Sequence, residues 1–305
     1  MGRPMSGWRC TGMQWTTAGP ALSWSSPSGG ERESPLPLPG GPLAFTVAGE
    51  RRCIGVWRMG RLLACPLRTA IPESSTNPLC PDCAALDRRH SVAADTALDD
   101  QRTFRLYLAW FGPDLVKVGI TAAERGQQRL LQQGALAHTW LGEGRLAGVR
   151  RTEAVLGTAL GLPDRMSHTR KVAARAVAAG VGQETEELAD RHHAAQASSA
   201  WPETVTRLPF AVQDHRAAYH HDRARPARAD ALVGPLTPED TVVGDLVAVV
   251  GPDAYLATAD RLLLLDLRLL AGWPLARARQ PRTTAPTSPL RLPVPAPDET
   301  QHGLF

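Results

Sequence analysis

Residues 105–121 read RLYLAWFGPDLVKVGIT, two short apolar runs on either side of Gly112-Pro113-Asp114. Apolar runs of this length around a Gly-Pro-Asp turn predict a β-hairpin. The stretch that follows, AAERGQQRLLQQ, reads as a helix stopped at Gly134, and AHTWLG as a third strand. LAGVRRTEAVLGTALGL then sets Leu146, Val149, Glu153, Leu156 and Leu160 at steps of three and four, the spacing of a helix, which Pro163 ends. A β-β-α-β-α order within sixty residues commits the centre of the chain to a small α+β unit.

The flanks differ in character. Residues 1–50 alternate short apolar stretches with Gly/Pro/Ser clusters and read as a β-rich segment. Residues 51–98 carry four of the five cysteines and little periodicity, and 99–165 form the core just described. Residues 166–204 read as helical, 205–279 as a β-rich module, and the Pro-, Arg- and Thr-dominated stretch 280–305 as a disordered tail. Gly12 and Gly244 each precede, by seven residues, a Gly-Pro turn and a strand (Gly19-Pro20, Gly251-Pro252). Two unrelated hairpins with common turn chemistry explain this as well as a β-module shared by both ends of the chain, with the central region inserted in it.

At 305 residues and 43% apolar, the chain is expected to bury a sizeable core rather than remain disordered. No membrane span is expected: the longest apolar run, residues 262–270, is broken by Asp266 and Arg268 and is far short of the roughly 20 residues needed. With no apolar leader at the N-terminus, the expectation is a cytoplasmic protein. The formal charge of +4 is carried almost wholly by arginine, since Lys117 and Lys171 are the only lysines. A GC-rich genome produces that bias through codon usage. The arginine fork also suits phosphate, so a DNA or RNA partner is permitted by charge without being required by it.

The chemistry expected of the central unit follows from four side chains. Tyr107 on the first strand and Lys117 on the second are expected to project from one sheet, with Arg129 on the first helix able to reach the same face. Glu153 on the second helix adds a carboxylate able to hold a hard cation such as Mg²⁺ or Mn²⁺. Metal and arginine together would stabilise a phosphodiester transition state, and a tyrosine or lysine of lowered pKa, or a metal-bound water, would supply the nucleophile or base. The blander alternatives are a packed tyrosine with a bonded hydroxyl, an exposed Glu153 paired with Arg150 or Arg151, and a solvated Arg129.

The same run, with its Arg-bearing and Glu-bearing helices, resembles the core of GIY-YIG endonucleases, in the branch whose second motif reads Lys-Ile/Val-Gly. The likeness covers residues 104–162. It implies that Tyr107 ends the first motif, that Lys117 and Gly119 open and close the second (Gly119 in a cofactor-binding position), that Arg129 is the catalytic arginine and that Glu153 is the metal ligand. Arg105-Leu106 stands where that family has Gly-Ile, Lys117 replaces its second tyrosine, and Arg129 lies two residues further from Gly119 than its pattern has it. Over residues 8–275, CIGVW, CPLR, CPDC, RLLQQGA and GDLVAVVGP resemble an uncharacterised bacterial family, common in actinobacteria and known as a domain of unknown function.

Cys80-Pro-Asp-Cys83 is a CxxC knuckle, and with Cys53 and Cys65 it offers four thiolates for a structural zinc ion. A redox pair is the competing reading, but it needs a strand leading into a helix start, which STNPLCPDC does not suggest. Cys10 is left over as a small buried hydrophobe. His192, His193, His215, His220 and His221 are expected to be solvated.

Three functions are compatible with these features: a metal-dependent phosphodiesterase acting on nucleic acid, a non-catalytic zinc-containing nucleic-acid-binding protein, and a structural or protein-interaction protein. The overall expectation is an α+β fold with a GIY-YIG-like β-β-α-β-α core, a cysteine-rich zinc segment and β-rich ends. The sequence carries no signal for the oligomeric state.

Overall fold

The computed structural model describes residues 7–58, 61–89, 100–163, 166–178, 182–199, 201–221 and 229–290. The described chain opens with β1 (Arg9–Thr16), β2 (Gly19–Ser25) and β3 (Glu31–Pro35), an antiparallel meander whose first turn is Thr17-Ala18, with Gly19-Pro20 opening β2 rather than forming the turn. β4 (Pro42–Val47) follows, then the short hairpin β5 (Val56–Arg58) and β6 (Arg61–Leu63), and helix α1 (Pro81–Arg89).

The central unit consists of β7 (Thr103–Trp110), β8 (Val116–Ala122), α2 (Gln128–Gln133), β9 (Ala137–Arg145) and α3 (Leu146–Ala159). The expected β-β-α-β-α order is present. The helix read from AAERGQQRLLQQ is shorter than its pattern: a 3-10 turn spans Ala123–Arg125, and the helix proper starts only after Gly126. It ends at Gly134, whose φ of 75° is the left-handed cap conformation that glycine adopts without steric cost.

β7 lies between β8 and β9, antiparallel to both. Its alternation divides two cores. Phe104, Leu106, Leu108 and Trp110 join the large core with Val149 and Leu156 of α3. Tyr107 and Ala109, with Phe111 just beyond the strand, pack with Leu130 of α2 in a second one. Burial on both faces is why RLYLAWF reads as a nearly continuous apolar run.

Helices α4 (His168–Val177) and α5 (Gln183–Ala197) follow, α4 bringing Ala174 against the Tyr107 core and α5 bringing Leu188 and Ala195 into the large one. β10 (Val205–Arg207) and β11 (Val212–Asp214) then return to pair with β9. The stretch expected to open a separate C-terminal module therefore completes the central sheet instead.

After α6 (Arg216–Tyr219) come β12 (Ala231–Val233), β13 (Thr241–Val250), β14 (Asp253–Ala257), β15 (Leu262–Asp266), β16 (Leu275–Arg277) and β17 (Thr287–Pro289). They form a seven-stranded sheet in the order β16-β4-β13-β14-β15-β12-β17. β4 thus lies inside a sheet otherwise built from the C-terminal third, with the central region inserted between, while β1–β3 form a sheet of their own. Residues 1–50 are accordingly divided between two sheets.

Residues 280–290 correct the expectation of a disordered tail from 280. β17 pairs with β12, and the Thr283 and Thr284 hydroxyls accept the Val243 and Thr241 amides. Residues 291–305 lie outside the described residues, as do 90–98 of the cysteine-rich stretch. Among the described residues no helix is long and apolar enough to cross a membrane.

Candidate functional site

The four cysteines come from two places. Cys53 and Cys65 flank the β5–β6 hairpin, and Cys80 and Cys83 sit at the first turn of α1. All four are buried, and their sulfurs lie within 4.8 Å of one another. The Cys65–Cys80 sulfur separation is 3.9 Å, and the Cys80 amide donates to the Cys53 sulfur over 3.2 Å. A disulfide needs about 2.05 Å. Four thiolates about 2.3 Å from a tetrahedral ion would instead stand about 3.8 Å apart, so the cluster fits a metal ion better than a bridge.

Burial pushes the Cys53 thiol up, and burial together with the neighbouring thiols does the same to Cys83. At Cys65 burial acts in the same direction but is outweighed by hydrogen bonds from the backbone at Thr69 and Leu67, which bring the thiol down to about 7. The residues present therefore suit a thiolate-bound metal such as zinc. These cysteines also make up four of the six residues of the local core, the others being Val56 and Ile71. The segment has little else to fold around. The CxxC does open a helix, contrary to the sequence reading, but it is approached by a loop and not by a strand.

The second candidate site lies over the central sheet. Tyr107 and Gly119 are directly paired across β7 and β8, and a methyl group at Gly119 would stand 2.5 Å from the Tyr107 hydroxyl. The glycine is thus required for the phenol to lie across the edge strand. The Gln133 amide, at the end of α2, donates to that hydroxyl over 3.0 Å, and its carbonyl oxygen lies 3.4 Å from Lys117 Nζ.

Burial pushes the Tyr107 phenol up. The Gln133 bond and the Arg129 charge act against this, and the Glu153 charge adds to it. The structure therefore gathers Tyr107, Lys117 and Arg129 on the α2 face. Glu153 comes from α3, which packs on the other face, yet its field reaches the phenol. The lowered pKa expected for a nucleophilic tyrosine is not found: Tyr107 is 2% exposed and holds its proton more tightly than a free phenol. Among the described residues, the cysteines are the one cluster of three or more potential metal-binding side chains, and Glu153 belongs to no such group.

Beside Gln133 opens a cavity of about 340 Å³ between α2, α4, the bulged start of β1 and the β13–β14 turn. Arg129, His168, Lys171, Arg175, Asp253 and Arg268 line it. Asp253 is fully buried and pairs with both Arg175 and His168, the latter over 2.5 Å. Burial alone would raise its carboxyl, but Arg175 and His168 hold it below the ordinary range. Lys171 Nζ donates to the Gln133 carbonyl over 3.3 Å and sits 4.2 Å from the centre of the Phe111 ring. Burial, then Lys117, Arg175 and Arg129, bring its ammonium down to about 7.

The family described as "Protein of unknown function (DUF2797)" matches residues 40–275. The chain belongs to this family. No curated protein and no solved structure is significantly similar to it. The DUF2797 match runs from just before β4 to the start of β16, taking in the cysteine cluster, the Tyr107 site and the α4 side of the cavity. The β1–β3 sheet, which supplies Gly12 and Met13 to the cavity wall, lies outside it.

Sequence reasoning missed Gln133, His168, Asp253 and Arg175, which carry no motif. Lys171 had one available signal, its rarity as one of two lysines. The histidines also differ from expectation: His192, His215 and His221 are buried. His215 donates through Nδ1 to the Ala135 carbonyl (3.0 Å), which leaves its Nε2 to accept from His138 Nδ1 (2.9 Å).

Proposed function

We propose that this protein is a metal-dependent phosphodiesterase acting on DNA or RNA, with Tyr107, Lys117, Arg129 and Glu153 as its working residues and Gly119 as the glycine that admits the phenol. The observation that carries this reading is the Tyr107 hydroxyl, bridged through Gln133 to Lys117 and lying within the fields of both Arg129 and Glu153. The strand order β8-β7-β9, with Arg- and Glu-bearing helices after the second and third strands, supports the GIY-YIG-like interpretation.

Mg²⁺ or Mn²⁺, bound through the Glu153 carboxylate and substrate oxygens, would supply charge neutralisation at the phosphate. Arg129 contributes the fixed positive charge that grows in value as the phosphate becomes pentavalent. Tyr107, kept protonated at neutral pH, donates or orients a hydrogen bond and does not attack. Zinc on Cys53, Cys65, Cys80 and Cys83 has a structural role. A reducing cytoplasm suits the five free thiols.

Purified protein incubated with plasmid, single-stranded DNA and RNA in Mg²⁺ or Mn²⁺ tests the reading. Cleavage is expected, and Glu153→Gln and Arg129→Gln are each expected to lower it by about 10²–10³. No cleavage of any substrate, or cleavage undiminished in Glu153→Gln, overturns it. The burial of Tyr107 favours one second reading, a zinc-containing protein that binds nucleic acid without cutting it. That would show as salt-dependent binding in the absence of turnover.

A further inference from the structure

We propose that the cavity between α2, α4 and the β13–β14 turn binds one phosphate ester about the size of a nucleotide, its phosphate held by Arg129 and Lys171. This rests on the phosphate chemistry proposed for the adjoining Tyr107 site, with which it shares Arg129, and it names what enters there: a single nucleotide unit and not a duplex.

The first argument is charge. Four cationic side chains line the cavity with one carboxylate, Asp253, and Asp253 is already committed to Arg175 and His168. Arg268 is paired with Asp266. Arg129 forms no ion pair or hydrogen bond among the described residues, and the polar contact of Lys171 is to a neutral carbonyl. Neither of these two side chains has an ion-pair partner among the described residues.

The second argument is burial. Lys171 and Arg175 adjoin on one helix, and Arg175 is 2% exposed with its Nε lacking a partner. Partial burial, and after it the positive charges of Lys117, Arg175 and Arg129, disfavour the ammonium of half-buried Lys171, and a phosphate bound beside it would offset the charge crowding. The third argument is size. At about 340 Å³ the space is at the small end of sites that enclose organic ligands, about 300–1,000 Å³.

Having only two lysines in the chain makes the test clean. Titration of the full protein with inorganic phosphate and adenosine 5′-monophosphate, followed by calorimetry, is expected to show binding, with adenosine at least tenfold weaker than its phosphate. Brief acetylation read by mass spectrometry is expected to modify Lys171 faster than Lys117, and adenosine 5′-monophosphate to protect Lys171. Lys171→Gln is expected to weaken phosphate binding at least tenfold. If that variant does not fold, Arg129→Gln, on an exposed side chain, gives the same reading.

Absence of binding to either phosphate, equal binding of adenosine, or undiminished affinity in a folded variant overturns the proposal. Nucleotide binding without polynucleotide cleavage would leave the cavity standing and remove the phosphodiesterase. Cleavage with no binding of phosphate or nucleotide would do the reverse.

Discussion

Two buried histidines make the clearest demand at the scale of single residues. His138 and His215 share a hydrogen bond in the central sheet, and burial holds them down to about 3 and about 4, against 6.5 for a free imidazole. Both rings are neutral in the folded chain at pH 7. Below pH 6.5 the unfolded chain takes up protons that the folded one refuses, so stability falls as the pH drops from 6.5 toward 4. The loss approaches about 1.4 kcal/mol per pH unit for each ring. Urea denaturation at pH 7.5, 6.0 and 5.0 checks this: the midpoint is expected to decline, and to decline less in His215→Gln. A flat profile would mean that the pair is not buried as described. His215 was not legible as a core residue, because a histidine between Asp214 and Arg216 looks solvated, and His138 lies in the AHTWLG strand with nothing local to mark its partner. Their burial comes from β11 returning to β9, a pairing that no local pattern announces.

At the scale of elements, the sequence was most informative where local signals agreed. The Gly-Pro-Asp turn, the two apolar runs and the three-and-four spacing after Arg145 gave β7, β8 and α3 close to their observed limits. The intervening helix was overextended because Gly126 interrupts an otherwise helical composition. Within the candidate site, Tyr107 and Lys117 could be placed on one sheet face from the hairpin, with Arg129 on the following helix within reach, whereas Gln133, which joins the first two, could not: a glutamine next to a helix-ending glycine looks like solvent-facing chain. The cysteine-rich element is a different case, since its core is mostly sulfur. Metal removal by a strong chelator is expected to abolish hydrogen-exchange protection in 51–89 while leaving β7–β9 protected, and Cys80→Ser to reduce zinc below one half equivalent per chain. Full zinc in Cys80→Ser, or retained protection after chelation, would contradict a thiolate-held metal.

For the whole molecule, the decisive feature is the position of β4. It pairs with β13 on one side and β16 on the other, and the buried Thr46 and Thr241 hydroxyls meet at 2.8 Å at one end of the β4–β13 ladder. Composition and hairpin signals at both ends were compatible with this arrangement and with two separate modules, since strand partners so far apart leave no periodic trace. A chain starting at residue 51 would expose the inner edges of β13 and β16, and unpaired edges of that kind associate. Such a truncation is expected to be insoluble or aggregated by size-exclusion chromatography. A monodisperse, cooperatively melting fragment would show that the sheet tolerates the loss.

That strand also sets a timetable for biosynthesis. Thr46 leaves the ribosome 195 residues before its partner Thr241. At translation speeds of about 5–20 residues per second, β4 must wait about 10–40 seconds for the neighbour that completes it. Over that interval the nascent chain carries an apolar strand whose two sheet neighbours have yet to be synthesised.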